Sequence, residues 1–397
     1  MEIKTNPMFK VLCAADVHLN TSMWNTNKAI RFDSLFSFYS ILSIAAEHKC
    51  AVILAGDTFD TKQISSELFL YTRAIRNEFP EVAIYYINGN HDPNDPSWLA
   101  MFDNTHHLNN QGTSIDGVTV CGLDYVLPND FEDALKEVYP YAPILITHQT
   151  YDCFFKSPIA IDHTLLNDRE LTFSGDYHIP GDKQLTEATE TSSSHWLSSL
   201  GSATRCSIAE HDTGYATIIQ STLTNGLDFS RMKLPGRVFL VVKDLIGRYE
   251  PDDLVTQMPS SPRTRNDMKY CGVNYNRFMN AITIAAQSMK RPRPIYTSSL
   301  GPVFVARTKE ELDYANDAVA ELKYGFVLYS PLVTAPTETE DSDVVPQARD
   351  TTTAYLQKVA QSYPCDSAVK AALMELLTSS TPDFIEAEAR RFGMDNV

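Results

Sequence analysis

Long apolar runs are missing from this sequence. None approaches the ~20 residues that a membrane-spanning helix requires, so no membrane association is expected. The opening Met1-Glu2-Ile3-Lys4 lacks the charged-then-apolar pattern of a secretory leader, and a cytoplasmic location is expected, in a bacterium or a phage-infected host. Paired cysteines are missing too. The seven cysteines are scattered, odd in number and without any Cys-x-x-Cys, which argues against a disulfide framework and for free thiols in a reducing compartment. There is no Gly-x4-Gly-Lys-Ser/Thr, so any use of ATP must come from a partner. There are no internal repeats.

Positive charge is scarce and uneven. Lys and Arg total 33 against 50 Asp and Glu, a net charge of −17. Residues 1–220 hold 13 basic and 28 acidic side chains, net −15. Residues 221–335 hold 15 and 11, net +4, and residues 336–397 hold 5 and 11, net −6. The basic residues of the middle region cluster at Arg231, Lys233, Arg237, at Arg263, Arg265, Lys269, and at Lys290, Arg291, Arg293. Such clusters are either a footprint for a phosphate backbone, with contacts that ignore base sequence, or ordinary solvated loops.

What is present is enough for a folded enzyme. The chain has 397 residues, 43% of them apolar, which allows two or three domains with full cores. Five short motifs carry the chemistry: Asp16-Val17-His18, Gly56-Asp57-Thr58-Phe59-Asp60, Gly89-Asn90-His91-Asp92, His148, and Asp176-Tyr177-His178. Each follows a run that reads as a buried strand: 9–14, 51–55, 82–87, 144–146 and 171–173. Open α/β sheets bind ligands at the carboxyl ends of their strands, where residues distant in sequence converge. Singly, each motif reads as a turn, a cap or a half-buried histidine. Jointly, they supply carboxylates, imidazoles and an amide oxygen, a mixed N/O set suited to Mn, Fe or Zn. No thiolate belongs to the set, which argues against a structural zinc site. A two-metal site needs a bridging carboxylate, and Asp57 is the natural candidate. Asp16, His18 and His178 are expected on one metal, and Asn90, His148 and Asp176 on the other. The remaining histidines, such as His48, His106, His107 and His163, read as ordinary surface or core residues.

At these residues the chain resembles the calcineurin-like metallophosphoesterases, and within them the SbcD branch, nuclease subunits that process DNA double-strand breaks. The resemblance covers roughly the first 220 residues. It rests on Gly56-Asp57-Thr58-Phe59-Asp60 and on the later Leu200-Gly201-Ser202-Ala203-Thr204-Arg205-Cys206-Ser207. Asp60 is followed by Thr61 and Lys62, where the phosphoprotein phosphatases carry an Arg. The family's usual Gly-His-x-His is Gly175-Asp176-Tyr177-His178 here, a harder ligand set that favours Mn or Mg. The resemblance implies an α/β fold, with a metallophosphoesterase β-sandwich flanked by helices. It also implies a small α+β capping domain and C-terminal helices. It implies two divalent metal ions, Mn2+ first and Mg2+ second. By the same resemblance His91 meets the scissile phosphate and assists the leaving 3′ oxygen. Asp92 is expected to orient His91 and keep it protonated. The implied activity is exonuclease on duplex ends and endonuclease on single strands or hairpins. The implied partners are DNA, an SbcC-type coiled-coil ATPase and a second copy of the chain.

Four regions follow: a catalytic domain over 1–220, a capping and DNA-binding domain over 221–332, a linker over 333–348 and a helical segment over 349–397. The linker is acidic, polar and contains proline. The last segment carries two short amphipathic patterns, 351–362 and 367–378, which dock either on the ATPase or back on their own chain. Two other readings stay open: a phosphodiesterase acting alone on a nucleotide or small phosphoester, and a degenerate scaffold in which Asp176 marks decay.

Overall fold

The computed structural model describes residues 9–21, 32–93, 96–108, 110–157, 159–166, 169–186, 194–206, 210, 214–222, 226–237, 239–246, 273–292, 303–322 and 326–329. The expected linker, the helical segment after it, and Arg263, Arg265, Lys269 and Arg293 lie outside the described residues.

Two six-stranded sheets form the body. The first contains β1 (Phe9–Ala14), β2 (Ala51–Ala55), β3 (Ile84–Ile87) and β4 (Thr105–His107) in parallel order. The second contains β5 (Thr113–Ile115), β6 (Val118–Leu123), β7 (Ile144–His148), β8 (Leu171–Gly175), β9 (Gly181–Thr186) and β10 (His195–Ser199), ordered β5-β6-β7-β8-β10-β9. The period of two along a strand explains how they pack. Phe9, Val11 and Cys13 of β1 join Ile53, Ile87, Ile144, Ile146 and Phe173 in a core shared by both sheets. Leu12 and Ala14, pointing the other way, join a helical core.

That helical layer starts with α1 (Asp33–His48), where the non-glycine Lys49 closes the helix in a left-handed conformation. In α2 (Ser66–Asn77) the Ser65 hydroxyl caps the Leu68 amide at 3.1 Å. A short α3 (Phe131–Lys136) buries Phe131 against the outer face of the second sheet.

Two features tie residues after 220 to the catalytic layers. β11 (Tyr215–Thr222) and β12 (Gly226–Lys233) pair along their whole length and complete the first sheet beside β1. A domain boundary at 220 would cut this ladder. Further on, α4 (Tyr275–Ser288) sends Phe278 onto Phe36 and Tyr39, with ring centroids 5.2 and 5.4 Å away. Helix and hairpin therefore belong to the catalytic layers, because their apolar faces are covered there. A third sheet is small: β13 (Phe239–Val241), β14 (Val303–Ala306) and β15 (Phe326–Tyr329), with α5 (Lys309–Leu322) crossing between the last two. All three strands are parallel, as such a crossover demands. Among the described residues no helix is long and apolar enough to cross a membrane.

Candidate metal centre

The five motifs sit at the carboxyl ends of β1, β2, β3, β7 and β8, three strands of one sheet and two of the other. Backbone bonds lock the first two loops together: Asp16 N–H to Gly56 O at 3.2 Å, His18 N–H to Asp57 O at 3.0 Å and Leu19 N–H to Thr58 O at 2.8 Å. Asp16, His18, Asp57 and Asp176 all have positive φ, between 47° and 73°. Each such non-glycine residue costs on the order of 1–3 kcal/mol, and such strain gathers at functional sites. Two glycines make room. A Cβ on Gly56 would lie 2.2 Å from His148 Nδ1, and one on Gly89 would lie 2.0 Å from Asp57 Oδ1.

The side chains converge. Asp16, His18 and His178 form one group of ligand atoms, and Asp16, Asp57 and His148 form another. His178 Nε2 lies 3.4 Å from Asp16 Oδ1. Asp57 Oδ2 stands between His18 Nε2 at 3.6 Å and His148 Nε2 at 3.4 Å. Asn90 Oδ1 is 3.2 Å from His148 Nε2. Asp16, His18, Asp57 and His148 are all buried.

Four imidazoles share one orientation. The Nδ1 of His148 meets Ala55 O at 2.8 Å, and that of His178 meets Glu210 Oε1 at 2.7 Å. The Nδ1 of His18 meets Asp60 Oδ1 at 3.2 Å, and that of His91 meets Asp60 O at 3.0 Å. An Nδ1–H held by an oxygen leaves Nε2 as the free lone pair, the arrangement of metal-bound histidine. Burial works against charge on the His18, His148 and His178 rings, but the acids beside them win. Burial lowers the His178 pKa, and Asp16 and Glu210 then raise it to about 10. His148 is raised above its ordinary value by Asp57, Asp16 and Asp176 against burial. Burial raises Asp57, and His148 and His18 more than reverse it, so it stays a carboxylate. A field that gathers protons this strongly is one that dications would occupy in their place. The donor set and its orientation therefore fit two divalent cations.

Three of the expected site residues have further partners in the structure. The Asp92 carboxylate is buried and accepts from the amides of Thr58, Phe59 and Gly89 at 2.8–3.0 Å. It ties the second and third loops together. His91 Nδ1 meets the Asp60 carbonyl, and its ring is exposed. Asp176 Oδ2 is held by the Thr150 hydroxyl at 2.6 Å, and Asp176 belongs to neither ligand group.

Sequence reasoning missed two residues. Asp60 closes the second motif, so its place is visible in the sequence while its role is not. Glu210 carries no local signal. It reaches His178 across 32 positions and also accepts from the Cys206 amide at 2.8 Å.

The basic residues expected to meet DNA divide sharply. Arg237 has a fully buried side chain that meets Asp33 at 3.0 Å, at the start of α1. Arg231 forks onto both oxygens of Asp182 at 2.8 and 3.1 Å and reaches Ser199 O, joining β12 to β9 and β10. Lys233 lies 4.0 Å over the Tyr215 ring. Arg231 and Arg237 each carry a counter-charge within the fold. Lys290 and Arg291 are exposed at the end of α4.

A search of curated proteins finds no match to this chain. The family model for calcineurin-like phosphoesterases matches residues 9–211, just over half of the 397 residues, and spans every motif at this centre. The chain thus belongs to the calcineurin-like phosphoesterases, metal-dependent hydrolases of phosphoesters.

Proposed function

We propose that the chain is a two-metal-dependent DNA nuclease, acting on duplex ends and on single strands or hairpins with an SbcC-type ATPase. One observation carries the reading. The exposed His91 ring stands 5.0 Å from the buried His18 ring, with its Nδ1 already bound and its Nε2 free. A proton donor at the open rim of a buried ligand set suits departure of an alkoxide oxygen from a phosphodiester. The segment that resembles the SbcD branch supports the choice of DNA, because it is built into this centre. Ser202 Oγ donates to Asp16 O at 2.9 Å, and the Ala203 amide donates to Ala15 O at 2.9 Å.

Asp16, His18 and His178 would hold one cation and Asn90 and His148 the other, with Asp57 between them. Asp176 would join the second on leaving Thr150. The cations supply charge that draws in the phosphate oxygens and activates the attacking water. Mn2+ is the proposed metal and Mg2+ the alternative, given the oxygen-rich set. The chain's own contribution is orientation: Asp60, Glu210 and Ala55 O fix the rings, and Asp92 fixes the loops. In its imidazolium form, with Nδ1–H on Asp60 O, His91 would give its Nε2 proton to the leaving 3′ oxygen, which departs as an alcohol. The ATPase is proposed to bind residues 349–397, and the chain to act as a homodimer.

The test is cleavage of end-labelled linear duplex DNA with Mn2+, beside Mg2+, EDTA and His91→Ala controls. Mn2+-dependent loss of label that fails in His91→Ala is the expected result. No cleavage, even with an SbcC-type ATPase and ATP, sinks the nuclease reading.

A further inference from the structure

Tyr177 sits between Asp176 and His178, so its Cα is about 3.8 Å from that of a metal-centre histidine. Two further rings lie parallel to it. Phe154 is 6.2 Å away at 11°, and Phe155 is 6.1 Å away at 26°. The group reaches solvent through its outer member: Phe155 is 52% exposed, while Phe154 and Tyr177 are half-buried, and the nearby Ile159 and Ile179 are exposed. It is also held in place. Ser199 Oγ donates to Tyr177 O and Ile179 O at 3.0 and 2.9 Å, and the Phe154 and Phe155 amides both donate to Tyr151 O. Phe154 packs flat on Gly181, where a Cβ would come within 3.2 Å of its ring.

Charge points to the occupant. Residues 1–220 carry only 13 basic side chains. Two of them flank these rings: Lys156 follows Phe155 and is exposed, and the exposed Lys183 of β9 acts electrostatically on Cys153, next to Phe154. An exposed ring backed by two half-buried parallel rings, with cations beside it, is a pattern that binds single nucleic-acid strands, through base stacking and backbone charge.

We infer that Phe154, Phe155 and Tyr177 form a stacking platform for an unpaired base of the strand whose phosphate lies at the metal centre. In a duplex both faces of a base are covered, so the platform selects single strands, hairpin loops and frayed ends. Stacking ignores sequence, and Lys156 and Lys183 supply local positive charge for the backbone within a catalytic region of net −15. The inference rests on the DNA reading above.

The experiment measures binding of the full chain, in EDTA, to a fluorescent oligothymidylate and to an abasic strand of equal length. Wild type is expected to prefer the base-bearing strand about tenfold. Phe155→Ala brings that ratio close to one, and Phe155→Trp restores it. An equal ratio in wild type and Phe155→Ala overturns the platform, as does a wild-type ratio of one. Hydrolysis of the oligothymidylate with Mn2+ is read on the same preparation. Base-dependent binding without hydrolysis removes the nuclease reading and keeps the platform, and hydrolysis with base-independent binding does the reverse.

Discussion

The acids of the metal centre and the arginines around β12 are both largely buried charges, and they are treated in opposite ways. Arg237 and Arg231 each face a carboxylate within 3.0 Å, so charge is neutralised inside the fold. Asp16 and Asp57 pair with no Lys or Arg among the described residues; their charged neighbours are histidines. Moving a carboxylate out of water without a fixed counter-charge is expensive. A fold that keeps two such groups together, on strained backbone, leaves the counter-charge to come from outside. Buried charge marks function where the fold leaves it open and marks architecture where the fold closes it.

The largest effect that would test this contrast lies on the architectural side. Arg237→Ala leaves Asp33 without its guanidinium at the start of α1. Breaking a buried pair from one side costs about 3–5 kcal/mol. Chemical denaturation should show a loss of that size. A stable Arg237→Ala protein with weakened DNA binding would reverse the assignment. Next comes Asp57→Asn, which keeps the shape and removes the charge between the two ligand groups. Several kcal/mol of charge stabilisation depend on such a site, so phosphodiester hydrolysis should fall by at least about a hundredfold while the circular dichroism spectrum is retained. Calorimetric titration with Mn2+ checks the same variant for loss of a binding event.

Glu210→Gln probes the boundary between the two treatments. Glu210 touches the expected ligand His178 on one side and acts electrostatically on Arg205 on the other. The carboxylate that fixes a ligating histidine is worth about 10–100-fold in metal affinity. Mn2+ affinity should fall within that range, and Glu210→Asp should recover part of it. Unaltered affinity would make Glu210 a loop anchor through the Cys206 amide instead.

How far the sequence was legible follows the same division. Strands and their terminal motifs are local: apolar runs such as Ile144–His148 and the Gly-Asp and Asn-His-Asp turns after them are read from neighbours in the chain. The helix expected over 28–48 is described over Asp33–His48, and the one at Lys309–Leu322 matches its pattern. What the sequence hides is partner choice. The Arg237–Asp33 pair spans 204 positions, Arg231–Asp182 spans 49 and His178–Glu210 spans 32. Composition therefore showed a basic stretch after residue 220 without showing that two of its arginines were already neutralised. The partners of Asp92 are hidden for another reason. Its sequence neighbour is His91, but a turn sends adjacent side chains apart, and three amides claimed the carboxylate.

The smallest effect sharpens the contrast on the surface. Lys290 and Arg291 follow α4, where cations favour the helix C-terminus by about 0.3–1 kcal/mol each at most. Both are exposed, and Lys290 takes a left-handed conformation with φ 55°. Replacing the pair with glutamine should move stability by less than about 1 kcal/mol, because nothing buried is unpaired by the change. If these are the basic residues that meet a phosphate backbone, DNA affinity should drop uniformly across sequences. The slope of log affinity against log salt should also flatten by about one for each phosphate that is no longer neutralised. A slope that stays the same would assign them to the helix end alone.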